Sequence, residues 1–273
     1  MLPNLIVYHG MKRKIIRKVY KKLNLVFRLF DPIIDLRKLI FSLPNYILFF
    51  NDFIKYKKIE NKFTVKYTDI YPQIHDKTKF TSFDRHYIYH LAWAARILKK
   101  TNPDIHIDIS SSLYFCSIVS AFIPVKFYDF RPAKLELSNL SSEHADLTNL
   151  TFESNSIKSL SCMHTVEHVG LGRYGDPIDP DGDIKAINEL KRVLAINGNL
   201  LFVVPIGKPK IMYNAHRIYS YNQIIDYFKE FKLLDFSLVP DDKNSGFINN
   251  ASKEIADKQN YGCGCFLFKK LKR

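Results

Sequence analysis

The sequence predicts an α/β fold, a mostly parallel β-sheet covered by helices, with a terminal antiparallel hairpin and an N-terminal helical extension. Strand and helix patterns alternate through most of the chain, which is typical of a parallel sheet. The last two strand patterns, 233–239 and 263–269, leave no room for a full crossover helix and therefore indicate an antiparallel pair. We divide the chain into an extension, residues 1–60, and one domain, residues 61–273.

Charge is concentrated at the two ends of the chain. The 273 residues carry a formal net charge of +14, with 47% hydrophobic and 25% charged residues, which is typical of a globular protein. Residues 1–60 hold 13 basic and 4 acidic side chains, and residues 269–273 add four more basic ones. The rest is close to neutral. Because binding to phosphate backbones needs a basic track, we expect no nucleic-acid partner.

The extension is predicted to contain a basic amphipathic helix at residues 12–30. Apolar residues such as Ile15, Val19 and Leu23 recur at helical spacing, with lysine and arginine between them. Two interpretations stay open: peripheral contact with an anionic membrane surface or an acidic partner, or a packing helix with a solvated face. Pro32 and Pro44 then predict further short apolar helices over residues 31–58.

No apolar run reaches the length of about 18 residues that indicates a membrane-spanning helix, and no secretory signal pattern is present. We expect a cytoplasmic protein, with attachment to the inner face of the membrane as the open alternative. The four cysteines lack a CxxC spacing, which disfavours a zinc knuckle or a disulfide scaffold and favours reduced, structural thiols.

The first half of the domain contains a helix followed by strands that end in polar residues. A capping pattern at Thr81 and Asp84 predicts a helix over 82–100. A short strand at 105–109 leads into serines and a helical run to residue 122, and a second strand at 124–128 ends at Asp129. Asp146 lies in a polar loop, and the next strand covers 157–163.

The second half continues the alternation. Asp183 is the predicted N-cap of a helix over 184–194, and a turn at Asn197-Gly198 leads to a strand over 199–204. A helix over 221–231 precedes the final strand pair. Ligands of such sheets bind beyond the carboxyl ends of the strands, so the loops there are expected to carry the chemistry.

The stretch Gly170-Leu-Gly-Arg-Tyr-Gly175 satisfies a GxGxxG pattern without its required context. It follows the predicted strand at 157–163, well after the first strand of the domain, and no helix begins after it, so we reject dinucleotide binding and interpret it as a mobile loop beside the acceptor. Asp176, Asp179, Asp181 and Asp183 follow at a spacing that does not fit a calcium loop. Turn formation and capping account for these carboxylates, and no metal is predicted.

Several motifs resemble those of class I S-adenosylmethionine-dependent methyltransferases. Within that class the chain is similar to a methyltransferase-like family associated with bacterial surface-glycan genes. The resemblance covers residues 68–269 and is strongest over residues 164–183, which begin His164-Thr-Val-Glu-His168. Supporting motifs are Asp108-Ile-Ser-Ser-Ser112, Glu189-Leu-Lys-Arg-Val-Leu194, Gly198-Asn-Leu-Leu-Phe-Val-Val-Pro205 and Asn214-Ala-His-Arg217.

The resemblance implies S-adenosylmethionine as the cofactor and assigns residues to its parts. Asp108, Ser110 and Ser111 would lie beside the methionyl group, and Asp129 would accept hydrogen bonds from the ribose hydroxyls. Asp146 would face the adenine amino group, and His164 would close over the sulfonium. The chain departs from the class in one respect: serines replace the glycines that usually let the backbone of the first loop approach the ligand.

The resemblance also implies O-methylation of a sugar, a sugar nucleotide or a surface glycan such as capsule or lipopolysaccharide. His168, His164 and His216 are the candidate bases because histidine titrates near neutrality, and Asp176 is expected to orient the acceptor. Arg173, Tyr174 and Arg217 are the predicted substrate-binding residues. The alternative is a catalytically degenerate binding or scaffold protein of a glycan assembly complex, suggested by the serine loop.

Overall fold

A computed structural model describes residues 36–59 and 63–272. The chain divides into two compact units between Ser82 and Phe83. The predicted amphipathic helix at residues 12–30 lies outside the described residues. Residues 60–62 also lie outside the described residues. The predicted boundary between the extension and the domain, at residues 60 and 61, therefore stays a prediction.

The first unit is built on one long helix, α1 (Leu36–Lys57), which continues through Pro44. We predicted several short helices here. Proline removes one backbone hydrogen bond, and in α1 this local loss does not end the helix. The following segment folds back on α1: the rings of Tyr67 and Phe53 lie 5.1 Å apart, and the ammonium of Lys57 lies 3.9 Å from the centre of the Tyr67 ring. No helix in the described ranges is long and apolar enough to cross a membrane.

The second unit is a three-layer α/β/α structure. Its helices are α2 (Arg85–Thr101), α3 (Leu113–Val119), α4 (Gly182–Val193), α5 (Tyr221–Tyr227) and α6 (Lys253–Ala256). Its strands are β1 (His106–Ile109), β2 (Val125–Asp129), β3 (Leu140–His144), β4 (Ile157–Met163), β5 (Leu194–Ile206), β6 (Lys210–Met212), β7 (His216–Ile218), β8 (Phe231–Val239) and β9 (Gly262–Lys270).

Seven of these strands form one sheet in the order β3-β2-β1-β4-β5-β9-β8. Strands β1 to β5 are parallel, and β9 is antiparallel to both β5 and β8. The predicted mostly parallel sheet with a terminal antiparallel pair is therefore confirmed. Strand β9 lies inside the sheet, between β5 and β8, and β8 forms the edge.

Alternating side chains of the central strand β5 pack on opposite faces of the sheet. Phe202 belongs to a core shared with α4, α5 and α6, and Val203 belongs to a second core shared with α2 and α3. Both side chains are fully buried. Burying side chains of this size stabilises the fold by about 1.5–3 kcal/mol each, so the two cores hold the helices on both faces.

Two predicted helix starts need correction. Helix α2 begins at Arg85, and its N-cap is Asp84, whose carboxylate accepts a hydrogen bond from the Tyr87 amide at 3.1 Å; Thr81 lies before the helix. Helix α4 begins at Gly182 with Asp181 at the N-cap position. Asp183 is a buried residue of the first turn, where its carboxylate accepts a hydrogen bond from the Tyr219 hydroxyl at 2.8 Å.

Strand and helix lengths also differ from the prediction. Strand β3 was not predicted, because it buries one of its five residues and has no apolar alternation to detect. Strand β5 starts at Leu194 and passes through the predicted turn, where Asn197 takes a positive φ of 64°, and through Pro205. Helices α3 and α5 are shorter than their apolar patterns suggested.

Candidate active site

A cavity of about 380 Å³ lies at the carboxyl ends of β1, β2 and β4. This volume is within the range of small-molecule sites, and the location is where parallel α/β sheets bind ligands. Eight of the predicted site residues line it: Ser110, Ser111, Asp129, Asp146, His164, His168, Tyr174 and Asp176. Four others do not: Asp108, Arg173, His216 and Arg217.

The loop after β1 is held in place by Asp108, which is completely buried. One carboxylate oxygen of Asp108 accepts a hydrogen bond from the Ser111 amide at 3.0 Å, and the other accepts one from the Ser161 hydroxyl. Burial raises the pKa of Asp108, and these hydrogen bonds oppose the rise. Asp108 thus lies beneath the loop and shapes it, whereas we predicted direct contact with a ligand.

Ser110 adopts the backbone conformation that glycine would favour at this position. Its φ is 55°, in the left-handed region that costs a side-chain-bearing residue about 1–2 kcal/mol. Its amide donates to the Tyr128 carbonyl at 2.7 Å, and its carbonyl accepts from the Thr165 hydroxyl at 2.9 Å. Strained backbone of this kind concentrates at functional sites, and the serine loop keeps a turn suited to glycine.

The next two strands each bring an aspartate to the cavity. Asp129 ends β2, and one of its carboxylate oxygens accepts a hydrogen bond from the Arg131 amide at 2.7 Å. Asp146 follows β3, and one of its oxygens accepts from both the amide and the hydroxyl of Thr148, at 2.8 and 2.7 Å. In each carboxylate the second oxygen has no hydrogen-bond partner among the described residues, so it is available to a ligand.

His164 follows β4 and forms a buried pair with Glu167. Its Nδ1 lies 2.8 Å from a carboxylate oxygen of Glu167, and the two side chains are 5% and 1% exposed. Burial disfavours the charged imidazole, but Cys263 and Glu167 outweigh this and raise the pKa of His164 above its ordinary value. Like Ser110, His164 has a positive φ, 55°. Its Nε2 atom is buried and has no hydrogen-bond partner in the part of the chain that the structure describes.

His168 lines the same cavity as His164, but its pKa is shifted in the opposite direction. Its Nδ1 lies 2.5 Å from the Ala215 carbonyl oxygen, so Nδ1 carries a proton and Nε2 has a free lone pair. Burial lowers the pKa of His168, and Glu167 partly opposes that shift. The Nε2 atom lies 3.9 Å from the nearer Glu167 oxygen. His168 is therefore a neutral imidazole that can accept a proton, with a carboxylate nearby to stabilise the cation formed.

The glycine-rich loop over residues 170–182 is tightly organised. Asp176 accepts hydrogen bonds from the amides of Gly170 and Tyr174, at 2.8 and 3.1 Å. Arg217 is buried beneath the loop, where its guanidinium donates to the carbonyls of Val169 and Pro180 at 2.6 and 3.1 Å. Arg217 therefore holds the loop in place and does not reach the cavity, although we predicted that it binds substrate.

The remaining predicted residues lie around the cavity without lining it. Arg173 is exposed and places its guanidinium 5.0 Å from the centre of the Tyr174 ring. His216, on β7, packs with its ring tilted against that of Tyr261 at a centroid distance of 4.8 Å, and its ring centroid lies 6.4 Å from that of His168. His216 therefore packs against His168, which lines the cavity, without lining the cavity itself.

Sequence reasoning missed several polar side chains of the cavity wall, among them Tyr87, Arg131 and Lys185. The Arg131 guanidinium lies 4.5 Å from the centre of the Tyr174 ring, and the Lys185 ammonium lies 2.6 Å from an Asp179 oxygen. Arg131 lies two residues after Asp129, and this position just after a strand end was the signal that could have found it. Tyr87 and Lys185 come from helices, whose orientation depends on packing.

The strand order and the reversed strand β9 give the Rossmann-like fold that class I methyltransferases have. The family described as Caenorhabditis protein of unknown function, DUF268, matches residues 133–271, half of the chain. This protein belongs to that family. No curated protein matches the sequence.

Solved structures with a similar fold include methyltransferases. The YcgJ protein of Bacillus subtilis is 12% identical, with 68% of this chain and all of that chain covered and a TM-score of 0.47. A chain of the Haloferax volcanii complex between the Trm112 methyltransferase activator and a methyltransferase is 14% identical, with 70% and 91% covered and a TM-score of 0.48.

A third structure contains bound ligands. The Burkholderia thailandensis 1,6-didemethyltoxoflavin-N1-methyltransferase was solved with 1,6-didemethyltoxoflavin and S-adenosylhomocysteine. It is 11% identical, with 67% of this chain and 79% of that chain covered and a TM-score of 0.45. Similarity at this level concerns the fold, and no residue role follows from it.

Proposed function

We propose that this protein is an S-adenosylmethionine-dependent methyltransferase that methylates an oxygen of a small sugar, sugar nucleotide or glycan. The observation that carries the proposal is the convergence on one cavity of the Ser110 turn, the Asp129 carboxylate and the neutral imidazole of His168. The sugar class of the acceptor comes from the resemblance of residues 164–183 to enzymes associated with glycan genes.

The residues of the cavity fit the chemistry of the cofactor. Ser110 and Ser111 would contact the methionyl group, and Asp108 supports their loop from below by accepting a hydrogen bond from the Ser111 amide. Asp129 has a carboxylate oxygen available for ribose hydroxyls, and Asp146 has one available for an adenine amino group. When bound, S-adenosylmethionine supplies an activated methyl group, so the protein has to position the acceptor and remove its proton.

His168 is the proposed base. His168 lines a cavity that an acceptor hydroxyl can enter, and because the Ala215 carbonyl holds its Nδ1 proton, its Nε2 carries the lone pair that would accept the proton. As His168 takes the acceptor proton, the Glu167 carboxylate stabilises the imidazolium. His164 is a weaker candidate because Glu167 occupies its Nδ1 and its Nε2 is buried, and His216 does not line the cavity. Asp176 and Tyr174 lie where they can orient the acceptor.

Calorimetry with S-adenosylmethionine and S-adenosylhomocysteine tests cofactor binding. We expect binding by the unmodified protein and a loss of about 10-fold to 100-fold in affinity for Asp129→Asn, because a hydrogen bond to a charged group contributes about 1.5–3 kcal/mol. Asp226→Asn, at an exposed position on α5, is the control and should bind normally. Absence of binding at millimolar ligand would reject the enzyme and favour the scaffold alternative.

A mass-based assay of a panel of sugar nucleotides and free sugars tests the acceptor class. We expect one acceptor to gain a methyl group, and we expect His168→Gln to lower kcat strongly while cofactor affinity is retained. Higher activity on RNA or DNA than on any sugar would show that the acceptor class is wrong. Cofactor binding with no change in rate for His168→Gln would exclude His168 as the base.

A further inference from the structure

A second cluster of ligating side chains lies next to the candidate active site. His86 is in the first turn of α2, His164 follows β4, and Cys263 is on β9. One ligand atom from each residue lies within 4.8 Å of the other two. Cys263 and His164 are buried and His86 is half-buried, so three elements of the fold converge there.

The buried nitrogen of His164 points to a missing ligand. The His164 side chain is 5% exposed, and its Nδ1 is occupied by Glu167 at 2.8 Å. The other nitrogen, Nε2, has no hydrogen-bond partner within residues 36–59 and 63–272, although a buried polar atom left unpaired costs about 1–3 kcal/mol. Since Nδ1 is engaged, Nε2 is the atom that His164 offers to the cluster.

The Glu167 contact is the arrangement that usually supports a metal-bound histidine. A histidine ligand typically donates its second ring N–H to a carboxylate, which fixes the ring orientation and makes the coordinating nitrogen more basic. Glu167 is 1% exposed and is hydrogen-bonded to His164. A divalent cation beside the Cys263 thiolate would also balance the negative charges of the thiolate and of the Glu167 carboxylate.

We propose that His86, His164 and Cys263 bind a borderline-soft divalent metal ion, Zn²⁺. Two imidazoles and a thiolate suit Zn²⁺ and exclude the hard cations Mg²⁺ and Ca²⁺, which take oxygen ligands. In a tetrahedral site with bond lengths of about 2.0–2.3 Å, neighbouring ligand atoms lie about 3.3–3.8 Å apart. The ligand atoms of the three residues therefore have to move about 1 Å closer together for all of them to coordinate one ion. His86 is half-buried, and its ring stacks on those of His164 and Tyr261 with centroid distances of 5.4 and 5.0 Å, so the closure requires the His86 side chain to rotate out of this stack.

The bound ion has a structural consequence and a chemical one. It ties the start of α2 to β9 and to the loop after β4, and it fixes the His164 ring in the cavity wall. Three protein ligands leave the fourth tetrahedral position for water or another ligand. Coordinated His164 is unable to act as a base, in agreement with the role proposed for His168.

Titration of the chelator-treated full-length protein with Co²⁺ tests the site. We expect one equivalent of Co²⁺ to bind per chain, with a near-ultraviolet thiolate-to-metal absorption band that Zn²⁺ displaces. Cys263→Ser should abolish the band. Cys265→Ser is the matched control, because its buried sulfur lies 3.9 Å from that of Cys263 on the same strand, and it should retain the band. A band that survives in Cys263→Ser, or that is lost in Cys265→Ser, would overturn the assigned ligands.

Two further variants keep the test decisive if Cys263→Ser does not fold. Glu167→Gln should weaken Co²⁺ binding about 10-fold to 100-fold by removing the carboxylate that supports His164. His86→Ala changes a half-buried position and keeps the thiol, and it should also weaken binding. Unchanged Co²⁺ affinity in His86→Ala, or no band in the unmodified protein, would refute the site. These readouts require neither cofactor nor methyl transfer, so they are independent of the proposed function.

Discussion

Replacing Gly170 with alanine tests how tightly the loop beside the cavity is packed. Gly170 has a φ of 79°, and a Cβ atom there would lie 2.0 Å from the Asp179 carbonyl oxygen. Gly175, in the same loop, has a φ of 85° and no atom within 4 Å of the equivalent Cβ position. The two glycines therefore share the backbone strain and differ in the steric contact.

The expected losses of stability follow from this difference. An alanine in the left-handed region costs about 1–2 kcal/mol, so Gly175→Ala should lower the free energy of unfolding by that amount. Gly170→Ala adds a steric contact that typically costs about 1–3 kcal/mol. It also disturbs the Gly170 carbonyl, which accepts a hydrogen bond from the Asp179 amide at 2.9 Å. We expect Gly170→Ala to lose about 2–5 kcal/mol in total.

Urea unfolding followed by the fluorescence of Trp93 measures both values. Trp93 is the only tryptophan in the chain and is 6% exposed, so unfolding transfers it from the core to water. We expect the Gly170→Ala midpoint to fall well below the Gly175→Ala midpoint with similar slopes. Equal losses in the two variants would refute the close contact between Gly170 and Asp179.

Three further predictions concern buried polar groups. Burial lowers the pKa of His106 to about 3, so the unfolded chain takes up the proton first as the pH falls below 6.5. His106 thus removes about 1.4 kcal/mol of stability per pH unit between pH 6.5 and 3. His106→Asn should flatten the pH dependence of the free energy of unfolding, and an unchanged slope would contradict this. Tyr219→Phe removes the hydrogen bond to the buried Asp183 carboxylate and should lower the free energy of unfolding, measured by calorimetry, by about 1.5–3 kcal/mol. An unchanged melting temperature would show that other donors satisfy Asp183. Trp93→Phe removes a hydrogen bond of 2.9 Å to Asp235 and should lower the free energy of unfolding by about 1–3 kcal/mol, as measured by unfolding followed by circular dichroism. A variant as stable as the unmodified protein would show that water replaces the indole as the donor to Asp235.

Elements with a strong local pattern were predicted well. Strand β4 has the predicted bounds, Ile157–Met163, because six of its seven residues are buried and the run is continuous in the sequence. Strand β2 was predicted to end near Asp129, and it does. Strand β3 was missed because its stability comes from backbone pairing with β2, which leaves little apolar periodicity along its own residues.

The candidate site was predictable where its residues follow directly after strands. Asp129 and Asp146 lie on the cavity wall because the ends of neighbouring parallel strands share one edge of the sheet. Arg217 was misjudged because an exposed arginine and a buried arginine look identical in a sequence. The Val169 and Pro180 carbonyls that surround its guanidinium are brought there by the fold of the loop.

The sequence alone indicated an α/β domain, its sheet and the sheet edge that carries the cavity. These follow from local features of the chain: the charge distribution, the periodicity of apolar residues and the polar residues at strand ends. The states of the individual side chains depend on groups far apart in the chain. Glu167 lies close to both His164, whose pKa is raised, and His168, whose pKa is lowered, and the insertion of β9 beside β5 brings Cys263 to His164 and His86. Burial and electrostatic interactions act through distances in space, and strand order and register set those distances.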